Sequence, residues 1–124
     1  MFRFKLDSGS PIALYQQVIR EIKLEILTGR LQQGSRLPPI RELAKLLQLN
    51  PNTVAKAYDN LESEGFLTSR RGSGHWINAK SGELDGLRTA MLEDEFRSFL
   101  ERALALGASR KKIKDMMTRY LDHD

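Results

Sequence analysis

The chain has 124 residues, 40% of them hydrophobic and 29% charged, which suits one domain of ordinary size with an appendage. It contains no cysteine, so disulfides, thiolate zinc sites and cysteine nucleophiles are excluded together, and no run approaches the ~20 apolar residues of a membrane span. The net charge of +4 is unevenly placed: residues 1–80 carry 12 Lys and Arg against 7 Asp and Glu, whereas residues 81–124 carry 8 against 9. A basic excess of this size is a weak footprint of a polyanion partner by itself. Met1 to Asp7 lacks the apolar stretch and cleavage site of a signal peptide, so a cytoplasmic location is the expected default, with no membrane partner.

Phe2, Phe4 and Leu6 alternate with Arg3, Lys5 and Asp7, which predicts a short strand or an extended arm. Ser10 is placed as an N-cap with Pro11 at the first helical position. Ile12, Tyr15, Val18, Ile19, Ile22, Ile26 and Leu27 then recur at helical spacing, and Gly29 is placed to end this core helix. The Pro38-Pro39 pair stiffens the connection and keeps a second helix from starting before about Pro39. Leu43, Ala44, Leu46 and Leu47 supply its apolar face, with Ala44 small enough for a close helix crossing. A turn at Gln48-Leu49 puts Leu49 in the core, and Asn50 caps a third helix that opens on Pro51. Val54, Tyr58 and Leu61 face inward, leaving Asn52, Thr53, Ala55, Lys56 and Asn60 outward or flanking.

Gly65 ends the third helix. Phe66 to Arg70 and His75 to Asn78 read as a hairpin around Arg71-Gly72-Ser73-Gly74, where glycine supplies the positive φ of a tight turn. A basic hairpin beside a helix-turn-helix is a wing, so residues 1–80 are expected to form a winged helix-turn-helix. A polar break at Lys80-Ser81-Gly82 leads to a helical tail over 81–124. There Leu84, Leu87, Met91, Leu92, Phe96, Phe99, Leu100, Ala103 and Leu104 follow a helical period up to Gly107. Ser109 caps a last helix carrying Ile113, Met116, Met117, Tyr120 and Leu121. Two such helices cannot bury their apolar faces alone; they need the winged domain, a second copy, or both. The expected fold class is mostly α with a small β wing.

This order of elements suits a reader of duplex DNA, whose major groove, about 12 Å wide, accepts one helix. The start of the third helix would meet base edges, Arg70 or Arg71 of the wing would meet the backbone, and Gly72 would let main chain approach the minor groove. Plainer readings compete. Arg41, Lys45 and Lys56 could form a solvated helix face, Asn50 could serve only as a cap, and Gly72 and Gly74 only as turn residues. His75 and His123 are isolated, so no metal site is expected. Trp76 is expected to pack on the wing and third helix, and Met116 and Met117 to make dimer or core contacts. No acid–base pair, nucleophile–histidine set or phosphate loop is present, so neither an enzyme nor a cofactor is expected. The rival class is a winged helix that binds protein or RNA.

From about Pro11 to Asn78 the chain resembles the amino-terminal domain of the GntR superfamily of bacterial transcription regulators. The landmarks are Gly29-Arg30-Leu31, Gly34-Ser35-Arg36-Leu37-Pro38, Arg41-Glu42-Leu43-Ala44, Asn52-Thr53-Val54, Tyr58, Leu61, Glu64-Gly65 and Arg71-Gly72-Ser73-Gly74, in order and with family-like spacing. The resemblance implies DNA contacts from Arg41, Asn50, Asn52 and Thr53, with Arg71 and Gly72 serving the wing. Pro51 and Ala55 stand where many members carry arginine, so the commonest guanine contacts are absent, and Lys56 makes up part of that charge. Pro39 stands where a small capping residue is usual. The short two-helix tail resembles the YtrA subfamily, which implies a homodimeric repressor acting on a two-fold operator of a transport-related or self-encoding operon. Its recognition helices would sit roughly 34 Å apart or a multiple of that. A small-molecule effector, if one acts, has no pocket visible in the sequence.

Overall fold

Backbone hydrogen bonding before the first helix decides where that helix begins. The Gln17 side-chain amide donates to the carbonyls of Asp7 at 2.9 Å and Ile12 at 2.8 Å, and its oxygen accepts from the Asp7 N–H at 2.7 Å. The Ser10 hydroxyl accepts from the Ile12 N–H at 3.1 Å. These bonds hold the segment as a turn and take the groups that a longer helix would use. Helix α1 therefore spans Leu14–Leu27 with Ala13 at its N-cap, not the expected start at Ser10-Pro11, and Ile12 is exposed. The computed structural model describes residues 4–78 and 81–122, and all their side chains but those of 81–83. Phe2, Lys80 and His123 lie outside the described residues. Phe4 and Leu6 are half-buried and Lys5 and Asp7 exposed, yet this segment forms no strand, so the extended arm describes it.

Val18, Ile22 and Ile26 form the buried stripe of α1. Its end is fastened by the Leu31 N–H on the Glu25 carbonyl at 3.0 Å and by Arg30 on Glu25 Oε1 at 3.2 Å. Helix α2, Ile40–Leu47, begins directly after the proline pair, with Pro39 at its N-cap. Leu43 and Ala44 are buried, but Leu46 is 61% exposed, contrary to its expected place in the apolar face. Leu43, Ala44 and Leu47 share one arc of this short helix, and Leu46 points beyond it. Gln48 then turns the chain with φ 57°, the one non-glycine residue at positive φ among the described residues. Leu49 is half-buried at the rim, not in the core.

Helix α3, Pro51–Ser63, is capped as expected: the Asn50 side chain accepts from the Asn52 N–H at 2.8 Å. It buries Val54, Ala57, Tyr58 and Leu61 against α1 and α2. Gly65, at φ 89°, closes it, and the Phe66 N–H returns to the Leu61 carbonyl at 2.9 Å. That bond takes the Phe66 N–H from the hairpin, while the Phe66 carbonyl still accepts from the Asn78 N–H at 2.9 Å. Strand β1 is Leu67–Arg70 and β2 is Gly74–Ile77, each one residue off its expected span, paired antiparallel with Leu67 opposite Ile77 and Arg70 opposite Gly74.

A third rung completes the sheet. The Gly34 N–H donates to the Ile77 carbonyl at 2.9 Å, the Ile77 N–H to the Ser35 carbonyl at 2.7 Å, and the Leu37 N–H to the His75 carbonyl at 2.9 Å. Tyr58 ties this segment to α3: its hydroxyl donates to the Pro38 carbonyl at 2.7 Å, and its ring meets His75 edge-on, with centroids 4.9 Å apart. Burial, reinforced by the Glu42 carboxylate, holds the Tyr58 hydroxyl pKa well above its usual value, so the group stays a donor. Val18, Ile22, Leu37, Leu43, Val54, Leu61 and Ile77 are fully buried along with Tyr58. Each aliphatic member contributes about 1.5–3 kcal/mol by burial.

The chain divides into two compact units, Met1–Leu84 and Asp85–Asp124. Helix α4 runs over Ser81–Ala105, so Ser81 and Gly82 belong to a helix and not to a polar break; glycine costs little at a helix start. Helix α5, Arg110–Leu121, is capped by the Ser109 hydroxyl, which accepts from the Lys112 N–H at 3.1 Å. In the second unit only Ala103 and Ile113 are buried hydrophobic residues among those described, while Leu92, Phe96, Phe99, Leu104, Leu106 and Tyr120 are exposed. The tail alone leaves its apolar faces open.

Tyr58→Phe removes the bond to Pro38 and leaves a part-buried carbonyl without its donor. The unfolding free energy is expected to fall by about 1–2 kcal/mol in urea titration, with an unchanged slope. An unaltered midpoint would mean that water replaces the hydroxyl without cost.

Candidate nucleic-acid interface

The start of α3 presents short polar side chains because two prior constraints place it at the surface. Gln48 turns the chain in the left-handed conformation, and the Asn50 cap then uses its side-chain oxygen on the Asn52 N–H. Asn50 is therefore committed to capping, and its Nδ2 is the part left for any second role. Pro51, Asn52 and Lys56 are exposed, and Thr53 and Ala55 are half-buried. Asn52, Thr53 and Lys56 line one open groove of about 380 Å³ together with Ala13, Leu14 and Tyr15 of the α1 start.

The wing tip is built by glycine. The Ser73 N–H donates to the Arg70 carbonyl at 2.9 Å across Arg71-Gly72, and Gly72 takes φ 80°. Arg71 and Gly72 are exposed at this tip. Arg70 lies with its guanidinium carbon 4.7 Å from the centroid of the Trp76 ring. Trp76 thus packs within the wing, and its indole N–H is buried without a hydrogen-bond partner. Arg36 was given no role by the sequence, yet it sits directly beneath. Its backbone bridges Trp76, and a Cβ added at Gly74 would lie 3.1 Å from its Nε. The signal was the Gly34-Ser35-Arg36 segment before the prolines, legible as a landmark but silent on its pairing with β2. Tyr15 was likewise assigned only to the core stripe.

The sequence-predicted residues thus fall into three sets. Asn50, Asn52, Thr53 and Lys56 are at the start of α3, Arg70, Arg71 and Gly72 are on the wing, and Arg41 is exposed on the first turn of α2. Among the described residues no ion pair or side-chain hydrogen bond joins one set to another. The electrostatics favour an anionic ligand. Arg41, Lys56 and Arg71 have no carboxylate partner among the described residues, whereas Lys23 and Arg30 are paired with Glu64 at 3.1 Å and Glu25 at 3.2 Å. Unpaired cations thus stand beside the turn and on the wing. No group of histidines, cysteines and carboxylates among the described residues could hold a metal ion. No described helix is long and apolar enough to cross a membrane.

Residues 14–77 match the profile of "Bacterial regulatory proteins, gntR family". The chain is similar to the HTH-type transcriptional repressor YtrA of Bacillus subtilis strain 168, with 35% identity over 90% of this chain and 86% of that protein. Its structure is similar to that of a GntR family transcriptional regulator from Listeria monocytogenes, with a TM-score of 0.76 and 28% identity over 92% of this chain and 98% of that one. The DNA-binding domain of AraR, solved in complex with operator ORX1, is also similar: TM-score 0.52 and 26% identity over 60% of this chain and 95% of that one.

Gly72→Ala and Gly74→Ala each force alanine into a left-handed backbone and are expected to cost about 1–2 kcal/mol by thermal unfolding. Only Gly74→Ala should also push the Arg36 guanidinium from under the wing, read as a displaced Arg36 Nε–H resonance. An unmoved resonance would show that Arg36 does not rest on Gly74.

Proposed function

The chain belongs to the gntR family of bacterial regulatory proteins, and from that membership and the geometry of its exposed face we propose that it is a sequence-specific, duplex-DNA-binding transcription repressor. The observation that carries this reading is the pairing of a capped, polar start of α3 with unpaired cations on α2, α3 and the wing. The likeness to a domain solved on its operator supports it, as does the likeness to a named repressor. In this reading α3 enters the major groove with Asn52 and Thr53 near base edges. Asn50, Arg41 and Lys56 meet phosphates or neighbouring bases, Arg70 and Arg71 grip the backbone from the wing, and Gly72 admits close approach of main chain. The protein works in the cytoplasm as a regulator without catalytic activity, on a transport-related or self-encoding operon.

We further propose that it acts as a homodimer held by the tail. Support comes from the open apolar surface of the second unit, where Phe96, Phe99, Leu106, Met116, Tyr120 and Leu121 line a groove of about 500 Å³. Leu106 at 89% and Leu121 at 76% exposure are unusual for side chains of this kind and demand a cover. Sedimentation at micromolar concentration is expected to give a dimer that Phe96→Glu dissociates. A monomeric wild type would remove the tail's proposed role.

The direct test of DNA binding is fluorescence anisotropy on labelled duplex from upstream of the protein's own gene, against a shuffled duplex, across a salt series. Preference for the native duplex is expected, with log affinity falling steeply against log salt. Arg71→Ala should weaken both duplexes alike, because a phosphate contact carries no base information. Absence of binding to either duplex at low salt would redirect the reading to a winged helix that grips protein or RNA.

A further inference from the structure

The first turn of α1 lies against the start of α3, and one side chain there does more than fill the core. Ala13, Leu14 and Tyr15 form one wall of the groove, and Asn52, Thr53 and Lys56 the other. The Lys56 ammonium stands 4.0 Å from the centroid of the Tyr15 ring. Tyr15 is only half-buried, while its neighbours on the same face, Val18 and Ile22, are wholly buried. Its ring face is therefore offered to the groove.

What such a contact does to the lysine differs from what a carboxylate would do. A lysine on an exposed helix face keeps much rotamer freedom on its flexible stem, so its charge is spread over many positions. A carboxylate would fix it but cancel the charge. An aromatic face attracts the cation through its quadrupole and leaves the charge whole. Lys56 has no carboxylate partner among the described residues, and its ammonium rests on the Tyr15 ring instead.

We propose that Tyr15 is a positioning residue of the DNA surface: its ring holds the fully charged Lys56 ammonium beside Asn52 and Thr53, where a phosphate of the duplex is received. The proposal rests on the DNA-binding reading above. It brings α1 into the interface as a support for the first turns of α3, and makes the strength of the Lys56–phosphate contact depend on a residue that need not touch DNA.

The test is a double-mutant cycle on binding of a random-sequence duplex at low salt, which needs no knowledge of the operator. Lys56→Gln should lower the slope of log affinity against log salt by about one. Tyr15→Leu should weaken binding about two- to fivefold, the scale of an exposed cation–ring contact, and should weaken it no further in the Lys56→Gln background. Tyr15→Phe keeps the ring face and should bind as the wild type does. Pentafluorophenylalanine at position 15 keeps the shape, reverses the ring polarity, and should reproduce the loss even where Tyr15→Leu folds poorly. Equal losses with and without Lys56, a Phe variant as weak as the Leu variant, or a fluorinated variant that binds normally would each overturn the proposal while leaving DNA binding intact. A wild type that binds no duplex would overturn both.

Discussion

The hydrogen bond from the Tyr58 hydroxyl to the Pro38 carbonyl is the joint on which the first unit turns. It starts on α3, ends on the peptide that introduces α2, and its ring lies edge-on against His75 of the wing. One side chain thereby sets the spacing of every element that carries a candidate contact. The prolines make this joint effective: a flexible segment would yield to the bond, whereas Pro38 and Pro39 pass its constraint straight to Ile40 and Arg41. Gln48 bears the cost at the other end of α2. Left-handed backbone disfavours a residue with a Cβ by about 1–2 kcal/mol, and the packing of Leu43 and Ala44 on α3 holds it there.

Much of this was legible in the chain. The Asn50-Pro51 cap, the left-handed glycines at 29, 65 and 107, the helix start at the prolines and the inward Val54, Tyr58 and Leu61 all follow from local rules. Local rules failed where a distant group competed. Ser10-Pro11 reads as a helix start, but Gln17 reaches back across the turn and claims its carbonyls. Leu46 reads as core because its neighbours are, although eight residues give α2 a single inward arc. The site was partly legible in the same way. Residue types at the start of α3 and at the wing could be named from order alone. The bridge of Arg36 to Trp76 and the stacking of Lys56 on Tyr15 join residues separated by 40 and 41 positions, and no periodicity reports such pairs.

The two units manage apolar surface in opposite ways. The first encloses most of its large aliphatic side chains, with Ile12, Leu24 and Leu46 as the exposed exceptions. The second carries Phe96, Phe99, Leu106 and Tyr120 in the open, with Ala103 and Ile113 as its buried pair. A helix pair built this way gains little stability from its own packing.

The third rung of the wing sheet has a bearing on solubility. A two-stranded hairpin has two free edges, each a row of unpaired amides able to recruit another chain. Here Gly34, Ser35 and Leu37 occupy the far edge of β2. The remaining edge belongs to β1, four residues long and exposed at Thr68, Ser69 and Arg70. It is too short and too polar to template a growing sheet. The wing can therefore project a backbone hairpin into solvent without becoming a seed for aggregation.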